Sequence, residues 1–250
     1  MTILEVHNLF NLVIDKVKNT FWSHEDVDNF LHMSQMEVFA TLIGNYQKYS
    51  RRSSPPVGAG ETTRINSELA PFKEEITYLT MPFDPTTANY GVTDGVLALP
   101  ADFQMMDAVV SISTAGGRTR ERPVQEVDGE EWARRADSGL IVPNKISAIY
   151  RWKGKGGTLN NNSVGERLLL EFRPKDISGR VFYYRRPRKP NYVYTLNGRV
   201  ETHDPNASQD LEWSDAATIN IIIRALQLAG VPQADVQLQS AMNLNKNADE

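Results

Sequence analysis

Four histidines are the side chains of this sequence best suited to acid–base chemistry or metal binding near neutral pH. They are His7, His24, His32 and His203. His24 and His32 are eight residues apart in a predicted helix, which places them on one side but about 12 Å apart at 1.5 Å per residue. That distance is too long for both to bind one metal ion, and no HExxH-type spacing occurs. We therefore expect histidines at the surface or in an interface, and no metal site.

Paired carboxylates occur at 74–75, 130–131 and 249–250. Two acids that meet in a fold can act as general acid and base, but adjacent acids usually lie on solvated surfaces. Glu130 and Glu131 suit the first turn of a helix. The glycine-rich segments 58–60 and 154–157 lack the strand and helix context of a phosphate loop, and no Gly-x-Ser-x-Gly motif is present. The sequence thus predicts no catalytic residue, no cofactor and no enzyme.

A basic and aromatic segment without any acid runs from residue 180 to residue 194. Three interpretations remain open: contacts to nucleic-acid phosphates and bases, a strand leading into a proline-stiffened loop, or a subunit interface rich in Arg and Tyr. Its members are Arg180, Phe182, Tyr183, Tyr184, Arg185, Arg186, Arg188, Lys189, Tyr192 and Tyr194. The interface interpretation selects as contact residues Arg51, Arg52, Arg185, Arg186, Tyr192 and Tyr194.

Composition narrows the class of protein that carries these residues. The 250 residues include 27 Lys and Arg, 31 Asp and Glu, and no Cys, for a net charge of −4. Absence of Cys excludes disulfides, thiolate metal sites and a cysteine nucleophile. No apolar run approaches the ~20 residues of a membrane span, and no signal peptide is expected. A mildly acidic chain is unlike proteins that coat nucleic acid.

Apolar periodicity predicts helices at both ends of the chain. Residues 1–50 carry apolar side chains at three- and four-residue steps, which indicates two helices, the second capped by Ser23 with Asp26. Residues 204–250 predict a helix opening at Ser208 or Asp210, then a weaker helix from 232 to about 243. We expect the two end segments to pack together.

Between these helical ends, the pattern changes twice. Residues 51–72 are rich in Ser, Pro and Gly, which predicts an extended loop or arm that is either mobile or ordered by a partner. Residues 73–203 are rich in short strands, with one helix capped by Asp128. The predicted fold is α+β, with N- and C-terminal helices packed together and an inserted antiparallel β-sandwich or barrel-like region. The predicted strands are 76–81, 109–113, 140–142, 148–152, 168–172 and 181–184.

Several phrases in order along the chain resemble the head-to-tail adaptor (connector) proteins of tailed bacteriophages. A Trp-Ser phrase opens an early helix, a Leu-Pro-x-Asp-Phe phrase precedes a strand, and a short strand leads into a helix. A strand pair then precedes a proline-rich loop, and a Leu-Glu-Trp-Ser-Asp phrase opens a late helix. These phrases are 22–31, 99–103, 124–132, 170–174 with 181–187, and 211–215 with 225–230.

The resemblance implies a structural virion protein without enzymatic activity. It implies a ring, typically of twelve copies, at the neck of the virion, joining portal protein to downstream tail or collar proteins and assembled in the host cytoplasm. DNA would pass through its channel during genome ejection without sequence-specific binding, and no membrane would be involved. The alternative is a carbohydrate-binding or hydrolytic β module of a tail appendage, suggested by Trp152, Tyr192 and Tyr194 near predicted loops.

Overall fold

The chain divides into two compact units, each described here by itself. One comprises Met1–Pro71 and Pro187–Glu250, and the other comprises Phe72–Arg186. We call them the helical unit and the sheet unit. The computed structural model describes residues 1–17, 22–50, 59–79, 90–91, 95–115, 118–138, 142–155, 158–159, 162–163, 167–198 and 200–231.

The elements within these described ranges combine helices with mostly antiparallel strands, so the fold is α+β as the sequence predicts. In chain order they are α1 (Ile3–Val17), α2 (His24–Ser50), α3 (Ala59–Leu69), a 3₁₀ turn (Ala70–Phe72), β1 (Lys73–Leu79), β2 (Tyr90–Gly91), β3 (Val96–Ala98), β4 (Phe103–Ala115), β5 (Arg118–Pro123), β6 (Gln125–Glu126), α4 (Gly129–Asp137), β7 (Ile149–Lys155), β8 (Thr158–Leu159), β9 (Asn162–Ser163), β10 (Leu168–Arg173), β11 (Gly179–Arg185), β12 (Tyr194–Asn197), β13 (Val200–His203) and α5 (Asp215–Leu228).

Helices from the two ends of the chain pack together in the helical unit, as expected. α5 lies against α2 and also contacts α1. Each contributes an apolar face at helical spacing, because residues three and four apart share one side of a helix. The buried members of these faces include Ile3, Val6, Phe10, Val13, Val27, Leu31, Phe39, Leu42, Ile221, Ile222, Ala225 and Leu226.

Helix starts are fixed by polar caps. Ser23 accepts a hydrogen bond from the backbone N–H of Asp26 at 3.2 Å, and the Asp26 carboxylate accepts from that of Ser23 at 3.3 Å, which confirms the predicted capping box. The predicted start of α5 is wrong, since its N-cap is Ser214. Asp210 instead accepts from the N–H of Ile3 at 2.6 Å and so caps α1.

The predicted arm 51–72 is wrong for its second half. Residues 59–69 form α3, whose inner face buries Ile65 and Leu69, one turn apart. Arg64 and Glu68 add an ion pair of 3.3 Å along its exposed side. Two apolar positions are enough to hold α3 because they pack into an existing core. The Ser- and Pro-rich composition of the segment, on which the prediction rests, does not reveal this packing. Residues 51–58 lie outside the described part of the chain.

Two sheets pack face to face in the sheet unit. One has strand order β2-β1-β11-β4-β5 and the other β3-β10-β7-β6, and the pairs β1–β2 and β6–β7 are parallel while the remaining pairs of the two sheets are antiparallel. Alternate residues of both sheets fill the space between them. This core includes Ile76, Tyr78, Leu97, Phe103, Val109, Tyr150, Leu170, Phe172, Val181 and Tyr183.

Gly179 begins β11 where two strands and a ring approach closely. A Cβ at this position would lie 1.9 Å from the carbonyl oxygen of Val110 and 2.4 Å from the hydroxyl of Tyr78. The same Tyr78 hydroxyl donates to the Val110 carbonyl at 3.1 Å. Only glycine leaves room for this contact, so residue 179 fixes how tightly β11 sits between β1 and β4.

The boundaries of the predicted β region differ from those of the sheet unit. The unit ends at Arg186, and β12 and β13 belong to the helical unit. The predicted strand 140–142 is not found at Val142, which is 58% exposed in a loop, and residues 140 and 141 lie outside the described residues.

The predicted α4 is confirmed, with the Asp128 carboxylate accepting from the N–H of Glu131 at 2.7 Å. Residues 232–250 lie outside the described ranges.

Candidate functional site

The helical unit brings together three histidines that are far apart in sequence. His7 lies on the inner face of α1, His24 is the first residue of α2, and His203 is the last residue of β13. Tyr192 and Tyr194 complete this histidine–tyrosine cluster from the segment that leads into the β12–β13 hairpin. His7 is only 1% exposed, so the expectation of surface histidines is wrong for it.

Hydrogen bonds connect the cluster to two carboxylates. The Nδ1 atoms of His7 and His24 are 3.2 Å apart. The Nε2 of His7 lies 2.9 Å from Oδ1 of the buried Asp28, and the Nε2 of His24 lies 3.1 Å from Oε2 of Glu201. The other oxygen of Asp28 accepts from the backbone N–H of Tyr192 at 2.9 Å. The imidazoles of His7 and His24 are therefore each held from both of their nitrogens.

Ring stacking fixes the remaining geometry. The ring centroid of Tyr192 lies 4.6 Å from that of His7, 4.5 Å from that of His24 and 4.9 Å from that of His203. Tyr194 lies 5.0 Å from His24 in a tilted arrangement. These separations are those of favourable ring pairs. Burial, followed by the nearby Glu201 charge, raises the pKa of the Tyr192 phenol.

The chemistry available to this cluster is proton binding and hydrogen bonding. Among the described residues, no three His, Cys, Asp or Glu side chains are grouped as metal ligands. His32, the fourth histidine, lies elsewhere on α2, where its Nδ1 contacts the buried Gln35 amide at 3.0 Å. Burial, with a smaller contribution from the Lys189 charge, lowers the pKa of His32.

The predicted interface residues have different surroundings. Arg185 is buried in the sheet unit, 6% exposed, and its Nε lies 2.7 Å from the Glu74 carboxylate. Arg186 is exposed and donates through Nε to Gln104 at 2.9 Å. Tyr192 is half-buried in the cluster and Tyr194 is 37% exposed beside it. Arg51 and Arg52 lie outside the described residues. Of the four described members of this set, Tyr192 and Tyr194 meet in the helical unit, and Arg185 and Arg186 are neighbours in the sheet unit.

Other members of the basic segment are paired with acids. Arg180 lies 3.1 Å from a Glu75 oxygen, and Arg188 lies 3.9 Å from a Glu212 oxygen. Because these carboxylates come from other parts of the chain, the segment is less positive in the folded protein than its sequence indicates. Two of its five aromatic residues, Tyr183 and Tyr184, are buried in the sheet unit, which matches the strand interpretation for residues 180–185.

A shallow depression of about 470 Å³ lies in the sheet unit beside Trp152. It is lined by Glu126, Val127, Asp128, Gly129, Arg151 and Trp152. Trp152 is 38% exposed and donates through Nε1 to Glu126 at 3.0 Å. Arg151 is bound to Glu171 through Nη2 at 2.6 Å. The depression thus offers one exposed indole face and two carboxylates.

The sequence alone does not reveal the histidine–tyrosine cluster, because its members meet only in the folded chain. One local signal was present, since Gly198 between two stretches of alternating residues is typical of a two-residue hairpin turn with Gly in its first central position. Gly198 has φ +68°, the left-handed conformation that such a turn requires. Recognising this hairpin would have brought Tyr194 opposite His203, which are paired across the strands.

Comparison of the chain with protein-family models finds no match, and comparison with curated proteins finds none either. Among the described helices, none has the length and apolar character needed to cross a membrane.

Proposed function

We propose that this chain is a structural virion protein, a subunit of the head-to-tail adaptor ring of a tailed bacteriophage. The observation that carries the proposal is the agreement between the ordered phrases and the elements on which they lie. The Trp-Ser phrase at 22–31 opens α2, and the phrase at 211–215 leads into α5, which packs against α2. The ring would join portal to tail and extend the DNA channel.

The phrases of the middle region support the same proposal. Residues 99–103 precede β4, residues 124–132 form the short β6 and then α4, and residues 170–187 cover β10, β11 and the proline-rich segment. Each phrase lies on the kind of element that the resemblance implies. The insertion of a sheet unit between two halves of a helical unit also agrees with the fold predicted from the apolar periodicity of the chain.

Exposed apolar side chains provide surfaces that a ring would bury. Leu196 and Val200 of the hairpin are each 65% exposed, and Val142 and Ile146 of the sheet unit are 58% and 59% exposed. A closed ring needs two different patches on each subunit, because its interfaces are head-to-tail. Leu196 and Val200 lie on opposite faces of the hairpin, and together with the exposed residues of the sheet unit they supply separate apolar positions for such contacts.

Native mass spectrometry and electron microscopy of the purified chain, alone and with portal protein, test the proposal. We expect a ring, either alone or on the portal. Leu196→Asp should weaken the ring by placing a charge in an apolar contact, whereas Leu196→Met, which keeps this position apolar at a similar volume, is the matched control. A protein that stays monomeric and does not bind portal would contradict the proposal.

The depression beside Trp152 favours a second candidate, a carbohydrate-binding or hydrolytic β module of a tail appendage. An exposed indole can stack on the apolar face of a sugar, while neighbouring carboxylates accept hydrogen bonds from its hydroxyls. Binding or cleavage of host polysaccharide that Trp152→Ala removes and Tyr194→Ala retains would support this candidate. An absence of binding and cleavage would reject it.

A further inference from the structure

Four side chains of the helical unit form a hydrogen-bonded series in which the protons can be counted. The series runs Asp28, His7, His24, Glu201, with contacts of 2.9, 3.2 and 3.1 Å. An ionised carboxylate only accepts hydrogen bonds, so the ring nitrogen that faces each carboxylate must carry a proton. The central contact joins two Nδ1 atoms and needs a proton on one of them. Three protons on two imidazoles therefore satisfy all three contacts.

No other number of protons satisfies them. With two protons, both rings are neutral, and one of the three contacts has no hydrogen to share. With four protons, two N–H groups and two positive charges face each other across 3.2 Å. The two imidazoles therefore share a single positive charge, and with the two ionised carboxylates the series has a net charge of −1. His7 is the better position for this charge, since it contacts the buried Asp28, whereas His24 begins a helix, where the dipole disfavours a cation.

The β12–β13 hairpin is the element that depends on this series. Seven of its eight strand residues are exposed, and Glu201 and Tyr194 attach it to His24. Backbone bonds hold its base, with the N–H of Asp204 donating to the carbonyl of Val193 at 2.9 Å. Breaking the series would therefore release the hairpin while leaving its base in place.

We propose that Asp28, His7, His24 and Glu201 form a pH-sensitive latch that holds the β12–β13 hairpin against α1 and α2. The latch closes when the two rings share three protons. It opens in acid when a fourth proton separates the two Nδ1 atoms, so that His24 and the hairpin bound to it leave His7 on α1. It opens in alkali when loss of the third proton leaves one contact without hydrogen. The inference stands independently of the proposed adaptor function.

Other titratable groups face the latch from the hairpin side. Tyr192 and Tyr194 stack on His24, and the pKa of Tyr192 is raised, so its phenol stays neutral well into the alkaline range. His203 stacks on Tyr192, and its buried Nε2 has no hydrogen-bond partner among the described residues. Charging His203 in acid would leave a buried donor unsatisfied, which makes it the competing origin of an acid response.

Hydrogen–deuterium exchange of the full chain between pH 5 and 9, corrected for intrinsic exchange rates, tests the latch. Protection of residues 194–203 should be greatest at an intermediate pH. On each side, the opening constant should rise by about tenfold per pH unit, because opening is linked to one proton. Glu201→Gln should lose the alkaline response and keep the acid one, since a Gln amide can donate to an unprotonated Nε2. His32→Gln is the matched histidine control and should keep both responses.

Three results of the exchange experiments would overturn the latch. The first is protection that does not change with pH, and the second is an unchanged alkaline response in Glu201→Gln. The third is an acid response that survives in His24→Gln, which would assign it to His203. A direct count is available from the ring ¹⁵N shifts of His7 and His24, where three of the four nitrogens should be protonated at intermediate pH; a count of two or four would also refute the latch.

Discussion

Gly179→Ala should destabilise the sheet unit strongly. The new Cβ would lie 1.9 Å from the Val110 carbonyl oxygen, whereas an ordinary carbon–oxygen contact is about 3.3 Å. One strand must therefore move by about 1.4 Å, given the same contact distance. Overpacking of this kind costs about 1–3 kcal/mol, and loss of the Tyr78 hydrogen bond adds about 1–3 kcal/mol. We expect the free energy of unfolding to fall by about 2–6 kcal/mol on these terms.

Urea denaturation followed by circular dichroism measures this change. Gly44→Ala is the matched control, because a Cβ there meets nothing within 4 Å and Ala favours the helix interior by about 0.5–1 kcal/mol. The same substitution should thus have opposite signs at the two sites. Repeating Gly179→Ala in a Tyr78→Phe background should reduce its effect, because one of the two crowded groups is gone. A stability of Gly179→Ala within about 0.5 kcal/mol of the unsubstituted chain would refute the reasoning.

Three further changes test other parts of the structure. Arg185→Ala should lower the free energy of unfolding by about 1–3 kcal/mol, since it removes a buried side chain that packs over the Phe72 ring and pairs with Glu74, while Arg186→Ala should change it by less than about 0.5 kcal/mol. Ser214→Ala should cost about 1 kcal/mol through loss of the α5 cap. Lys189→Ala should raise the pKa of His32 by removing a like charge, although burial keeps that pKa below its ordinary value.

Urea denaturation checks the arginine and serine variants, and equal effects of the two arginine substitutions would contradict the burial argument. NMR titration of His32 checks the third. Because the pKa of His32 is lowered in the folded chain, the unfolded chain binds more protons as the pH falls through the ordinary histidine range, so this residue makes stability fall with falling pH. The Lys189→Ala chain should lose less stability in acid, and an unchanged pKa would show that Lys189 has no influence.

Local signals in the sequence were sufficient to predict two helix starts, because the residues that form each cap are close together along the chain. Ser23 with Asp26, and Asp128 with Glu131, are satisfied within one helical turn, and both caps were predicted. The α+β fold followed from the change of apolar period along the chain. The start of α5 could not be read in the same way, because Asp210, an equally good cap by residue type, contacts Ile3 instead.

The histidine–tyrosine cluster is formed by contacts between residues far apart in sequence, and no local pattern indicates such contacts. His7 and His203 are brought together by the packing of α1 against the hairpin segment, and nothing in the spacing of four histidines indicates it. The buried position of Arg185 could not be predicted for a related reason. Its residue type suggested exposure, but β11 lies in the middle of a sheet and buries it against Glu74.

The division of the helical unit between two distant stretches of chain bears on the order of folding. The sheet unit is continuous in sequence, and its β1–β11 pairing joins Lys73 to Tyr184, close to both of its ends. Closing a free loop of about 115 residues costs about 4 kcal/mol of chain entropy. If the sheet unit folds first during synthesis, its own packing offsets this entropy cost. Its two exits then emerge side by side, and residues after Pro187 meet α2 as a short-range partner rather than a remote one.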